Sequence, residues 1–298
     1  MSSITQSVKQ TPAVGEIGRR RRLRPARLRE LIVTLALIPI TFLWIYPFLW
    51  MVSAAFKTNN DIFRTGLTLL PQALHWENFA RAWVQARIGQ YFLNTVIIAA
   101  GTVTLVLITT SMMGYALGRY DYPGKKTIMA FFIATVFLPA AYTIIPIFDL
   151  VTTLGLNGSL LGVILAQSGG AHVIFILLFA GYFGQIPREL EEAAVMDGAS
   201  FVRVFVQIML PLSKPIIATT IIMQFISSWN DFLLPLVLTL PRPELRTLSV
   251  GMYAFRGEYF TDWAGMAAAA TIGIIPVIIV FLFLQRYFIE GLAGAVKQ

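Results

Sequence analysis

The chain alternates long apolar stretches that carry no Asp, Glu, Lys or Arg with shorter polar connectors. Residues 31–56, 91–118, 127–148 and 263–285 are free of such charges over their whole length. So is 150–186, although Gly155-Leu156-Asn157-Gly158-Ser159 reads as a turn and leaves a helix at about 159–184. Residues 215–240 are interrupted only by Asp231. Crossing the hydrocarbon core of a bilayer takes about 20 apolar residues in a helix, and each stretch is long enough. The pattern predicts an all-α, polytopic membrane protein with six transmembrane helices. Around them lie a tail at 1–30, an outer segment at 57–90, an inner loop at 184–214, a second outer segment at about 241–262 and a tail at 287–298. The first stretch far exceeds the about 7–15 apolar residues of a signal-peptide core, so it is read as a retained helix.

Composition removes the soluble alternatives. Apolar residues make up 57% and charged residues 13%, against about 25% charged in an ordinary soluble domain. That is too little charge to cover an aqueous surface. No cysteine is present, which excludes disulfide frameworks and Cys-based metal or redox sites. The two histidines, His75 and His172, lie far apart, and no metal site is expected. A net charge of +8 could point to nucleic acid, but seven basic residues fall between Arg19 and Arg29, directly before the first apolar stretch. With the N-terminus inside, sixteen basic residues fall on inner segments and seven on outer ones. The positive-inside rule then puts both termini in the cytoplasm. The expected surroundings are the lipid bilayer, with no nucleic-acid partner.

The inner loop at 184–214 is the richest in local signals. Pro187 suits a first helical position, and Glu189, Glu191 and Glu192 favour the positive end of a helix dipole. Gly198 is placed to end that helix in a left-handed conformation, and Ser200 to cap a second one. In the second helix Phe201, Val204, Phe205, Ile208 and Met209 recur as an apolar stripe that Pro211 should stop. The expected product is two short helices around a glycine elbow, with an apolar face that no lipid covers.

Glu192-Ala193-Ala194, Asp197-Gly198-Ala199, Ile208 and Leu210-Pro211 resemble the EAA loop of ABC importer permeases. That loop reads E-A-A, a glycine four residues on, then I-x-L-P. The resemblance covers the chain from about residue 91 to its end. Phe92-Leu93-Asn94-Thr95, Ser228-Trp229-Asn230-Asp231-Phe232 and Gly291-Leu292 with Gly294-Ala295-Val296-Lys297 look like the carbohydrate subgroup, of the maltose-importer second-permease type. The resemblance implies a type I ABC importer permease in the inner membrane of a prokaryote, neither an enzyme nor a cofactor binder. It implies as partners a second homologous permease, two ATP-binding cassette ATPases, an extracytoplasmic substrate-binding protein and a carbohydrate cargo. Glu192, Ala193, Ala194, Asp197, Gly198, Phe201, Phe205, Ile208, Leu210 and Pro211 would then make the ATPase-coupling surface.

Candidate chemistry elsewhere is sparse. Gly118…Gly124-Lys125-Lys126 is one residue too long for a phosphate loop and has Lys where Ser or Thr should hold magnesium. ATP hydrolysis is therefore assigned to a separate subunit. A carboxylate in a span is costly, by at least about 2.5 kcal/mol, and normally faces protein or a water-filled cavity. Asp231 with Asn230 could line the translocation pathway, with Trp229 offering a flat apolar face, or could cap a kink before Pro235. Tyr253, Phe255, Tyr259, Phe260 and Trp263 fit an interfacial aromatic belt or a contact with a binding protein. Ser168-Gly169-Gly170 is read as a close-packing site. Two rival functions follow: the same machine with a cargo such as glycerol phosphate, or an intramembrane enzyme built on Ser168 and His172 at i, i+4.

Overall fold

A computed structural model describes residues 25–137, 140–170, 172–257 and 260–296, with side chains over 30–137, 142–170, 172–257 and 260–287. Residues up to Phe48 form one unit and those from Leu49 a second. Among the described residues there is no strand, only an isolated bridge between Arg256 and Thr261. Helix α1, Pro25–Ala54, contains Pro39 and Pro47, and its apolar side chains between Leu31 and Phe48 are exposed on all sides, as suits a helix solvated by lipid.

Helix α2, Ile88–Arg119, is a continuous rod in the second unit. It is followed by α3, Lys125–Thr135, a 3-10 turn at Ala140–Thr143, and α4, Ile144–Thr153. The single helix expected at 127–148 is thus two short ones. Apolar composition runs straight through this region, and the one sequence mark of a break is Pro139, between the two helices. Pro146 sits in the first turn of α4, where a missing N–H costs nothing.

The fourth stretch is also divided. Helix α5, Leu160–Ser168, and α6, Val173–Gln185, are bent by 56°. The bend includes Gly169 and His172, whose φ of 40° is left-handed. Ser168-Gly169-Gly170 therefore ends a helix instead of letting two helices approach. Close approach occurs elsewhere. A Cβ on Gly114 would lie 2.3 Å from Phe179 Cβ, and one on Gly118 would lie 2.5 Å from the Ala180 carbonyl oxygen. These two glycines, one turn apart, let α2 and α6 pack backbone to backbone.

Two short helices follow, α7, Glu189–Met196, and α8, Phe201–Leu212. Helix α9, Lys214–Asn230, meets α8 at 79°. It stops at Asp231 and resumes as α10, Leu233–Leu238. Helix α11, Trp263–Val296, runs well past the expected end at 285, so most of the stretch read as a tail at 287–298 is helical. The terminal glycine motif from Gly291 falls where side chains lie outside the described residues.

Among the described residues, Glu30–Ala54, Ile88–Arg119 and Trp263–Tyr287 are long and apolar enough to cross a membrane, and counting each of the two bent pairs as one span gives up to five. Five apolar clusters hold the second unit among the described residues, and two of them bear on the site. One contains Tyr91, Trp229, Leu248, Phe255 and Ala268. The other joins Tyr115, Phe179, Phe183, Val204, Met209 and Ile216, so the inner loop is built into the helix bundle. Just before α11, Asp262 caps that helix through the Gly265 N–H at 3.0 Å and pairs with Arg81 at 3.0 Å.

Candidate functional site

The elbow forms as its local signals dictate. Glu189, Glu191 and Glu192 occupy the first turn of α7. At its end Gly198 takes φ 78°. The Gly198 N–H donates to the Val195 carbonyl and the Ala199 N–H to the Ala194 carbonyl, each at 2.9 Å, which satisfies carbonyls that the helix end would leave orphaned. Ser200 Oγ accepts from the Arg203 N–H at 3.4 Å and caps α8. Pro211 does not stop α8. The helix widens into a π turn at Phe205–Met209, which accommodates the N–H that Pro211 lacks, and runs on to Leu212. It ends at Ser213, whose hydroxyl donates to the Met209 carbonyl.

The stripe on α8 is not the open face expected of it. Val204 and Met209 are buried, and Phe205 stacks obliquely on Tyr115 with ring centroids 5.1 Å apart. The ends of α2 and α6 cover this stripe, a partner that sequence spacing could not reveal. The apolar surface left open includes Val195, Met196 at 87% exposure, Phe201 and Val202 around the elbow, with Leu190, Val206 and Leu212 farther from it. A groove of about 750 Å3 runs beside it, lined among others by Tyr120, Glu191, Glu192, Val195, Met196 and Phe201. Glu192, Ala193 and Asp197 are exposed, whereas Ala194, Ile208 and Leu210 are half-buried.

One residue of this site went unread in the sequence. Arg119, the last residue of α2, is buried. Its Nε donates to Glu191 Oε2 at 2.9 Å and its Nη2 lies 2.8 Å from the same oxygen. Nη1 donates to the carbonyls of Phe183 at 3.2 Å and Ile186 at 2.6 Å, just where α6 ends. Tyr115 O–H donates to the other Glu191 oxygen at 2.8 Å. Removing one partner of such a buried pair costs about 3–5 kcal/mol, because the other charge is left unpaired. In the sequence Arg119 is one more inner-flank cation, and its partner lies 72 residues away.

A second polar cluster lies inside the helices. Gln167 Oε1 accepts from Ser228 at 2.6 Å and from Thr102 at 3.2 Å, while Gln167 Nε2 donates to Asp231 Oδ2 at 2.8 Å. The first amides of α10 also face the Asp231 carboxylate. Trp229 is buried and donates to the Gly273 carbonyl at 3.1 Å, with its ring against Phe92 and Phe225. It therefore offers no open face within this chain. Asn230 is exposed. Nearby, a cavity of about 540 Å3 is lined among others by Thr135, Thr143, His172, Gln224 and Ser227. Ser168 and His172 do not pair. The Ser168 hydroxyl donates to the Ile164 carbonyl and His172 Nε2 bonds the Gln167 carbonyl, on either side of the helix break.

Residues 110–293 match the family described as the inner membrane component of binding-protein-dependent transport systems. The chain is 36% identical over 253 residues to a probable ABC transporter permease, YurM of Bacillus subtilis, covering 85% of this chain and 83% of that one. It is 33% identical to the diacetylchitobiose uptake permease NgcG of Streptomyces coelicolor, with the same coverage. It is 31% identical to the melibiose/raffinose/stachyose import permease MelC of B. subtilis, over 92% of this chain and all of that one. The fold is that of a chain in the crystal structure of a bacterial ABC transporter that imports the polysaccharide alginate, with a TM-score of 0.76 at 24% identity, covering 93% of this chain. Components of this kind are transport subunits, not enzymes, and work with a substrate-binding protein and an ATPase. The chain belongs to the family of inner membrane components of binding-protein-dependent transport systems.

Proposed function

We propose that this chain forms half of the translocation pathway of a carbohydrate importer, beside a second homologous permease and above two ATPases. The observation that carries the coupling part is the elbow, an apolar and carboxylate-edged surface fixed to the inner ends of α2 and α6. Glu192, Ala193, Asp197, Gly198 and Phe201 lie on or beside the surface open to an ATPase. Phe205, Ile208, Leu210 and Pro211 act by shaping it. ATP-driven closure of the ATPases would push on this surface and switch the pathway between inward- and outward-facing states by rigid-body motion.

The cargo assignment draws on the relatives named for oligosaccharides and on the cavity at His172. Its lining supplies hydroxyl, amide and imidazole groups without Lys or Arg, which fits a polyhydroxylated neutral cargo better than glycerol phosphate. Asn230, being exposed, is the candidate for direct contact among the three fifth-span residues. Asp231 instead holds the broken α9–α10 joint through Gln167. Asp231→Ala leaves the Gln167 amide without its acceptor, at about 1–3 kcal/mol for a buried donor. We expect severalfold less assembled permease, with the half-saturating cargo concentration unchanged in what assembles. Normal assembly with a raised half-saturating concentration would put Asp231 in the pathway itself.

The six-span, N-in and C-in topology is tested with single cysteines, since the native chain has none. Cysteines replacing Ser2, Lys125, Ser200 or Gln298 should be shielded from an impermeant thiol reagent in intact cells. Those replacing Asn60 or Glu244 should react. Labelling at position 200 overturns the orientation and with it the placement of the elbow.

A further inference from the structure

We propose that Arg119 is the transmission residue of this permease: it locks the elbow to α2, so that movement imposed on α7 moves the wall of the pathway. The inference deepens the coupling reading and rests on it. The geometry has three parts. At one end the Arg119 guanidinium is saturated, with Glu191 in the first turn of α7 and the terminal carbonyls of α6 as acceptors, while Tyr115 one turn earlier grips the second Glu191 oxygen. At the other end Thr102 of α2 bonds Gln167, the hub of the polar cluster between α5 and α9. Between Thr102 and Arg119 runs uninterrupted helix, about 25 Å at 1.5 Å per residue, pressed on α6 through Gly114 and Gly118. The loop's second helix packs on the same two helices through Val204 and Met209. It contains a π turn and joins α9 at 79° through Ser213. The elbow is therefore tied to α2 and α6 by the clasp and the shared core, and turns sharply into α9.

A planar guanidinium with five donors fits this site, and an ammonium does not reproduce it. Arg119→Lys and Glu191→Gln both keep side-chain bulk while loosening the clasp. The test uses the full complex with its ATPase, in a Ser227→Cys background. Ser227 is exposed and lines the cavity at His172. The rate at which this introduced thiol reacts with a water-soluble maleimide is measured with and without ATP plus vanadate. We expect the nucleotide response of the parent, about tenfold as for a typical coupling free energy, to shrink to less than about twofold in either variant, with the ATPase co-purifying at the parental ratio. A parental response in Glu191→Gln overturns the proposal. So does loss of the ATPase from both variants, since the clasp would then only shape the docking surface. Failure of the coupling reading itself is seen separately, as an ATPase that stays bound at the wild-type level in Gly198→Asp.

Discussion

Gly118→Val should leave no assembled permease. The added Cβ would sit 2.5 Å from the Ala180 carbonyl oxygen and 3.1 Å from Ala180 Cα. Both are backbone atoms of α6, so no rotamer change relieves the overlap. Overpacking a core that can yield costs about 1–3 kcal/mol. Here two helix axes must separate, which strips contacts from Phe179, Phe183 and Tyr115 and pulls Arg119 from the carbonyls that saturate it. A loss beyond about 3 kcal/mol is expected, a large part of the about 5–15 kcal/mol that stabilises a typical fold. The control is Gly181→Val on the same α6, where the new Cβ would meet nothing within 4 Å. Monodisperse yield after detergent extraction is the readout, and equal yields for the two variants would contradict the argument.

The contrast between those glycines shows where sequence reading stops. The first, second and last long apolar helices and the elbow were legible because their signals act within a few residues. Charge-free length marks a span, Gly198 follows the last turn of α7, and Ser200 precedes the first turn of α8. The kink before Pro235 in the fifth stretch was open to reading, whereas in the third and fourth stretches Pro139 and Gly169-Gly170 are hidden by an apolar composition that is the same for one long helix as for two short ones. His172 in a left-handed conformation has no local signature. The stripe on α8 was read correctly as amphipathic, but which element covers it is a tertiary fact settled by α2 and α6. For the same reason Trp229 looked like an open aromatic face although it is enclosed by Phe92, Phe225 and the Gly273 carbonyl. Arg119 and Glu191 are ordinary flank charges until the fold brings them together.

Gly198→Asp should insert normally, shed the ATPase during purification and abolish cargo uptake. The spans are untouched, and a Cβ at this position meets nothing within 4 Å, so steric overlap is not the cause. The first cause is the backbone. At φ 78° an L side chain costs about 1–2 kcal/mol, and relaxing it breaks the pair of bonds that joins the elbow to Ala194 and Val195. The second cause is charge. The new carboxylate adjoins exposed Asp197 and the open apolar residues Val195, Met196 and Phe201, so docking would desolvate a carboxylate with no partner, at several kcal/mol. Gly198→Ala separates the two causes, because it keeps the strain without the charge. It should reduce uptake by about tenfold, the equivalent of about 1.4 kcal/mol, while retaining part of the ATPase. Glu192→Lys acts between these limits. It leaves the elbow closed but reverses a charge in the first turn of α7, worth about 0.3–1 kcal/mol there, and reverses the sign of one wall of the groove. ATPase co-purification and uptake at matched permease levels give the order wild type, Glu192→Lys, Gly198→Asp. Wild-type retention and uptake in Gly198→Asp would show that the ATPase docks somewhere other than this elbow.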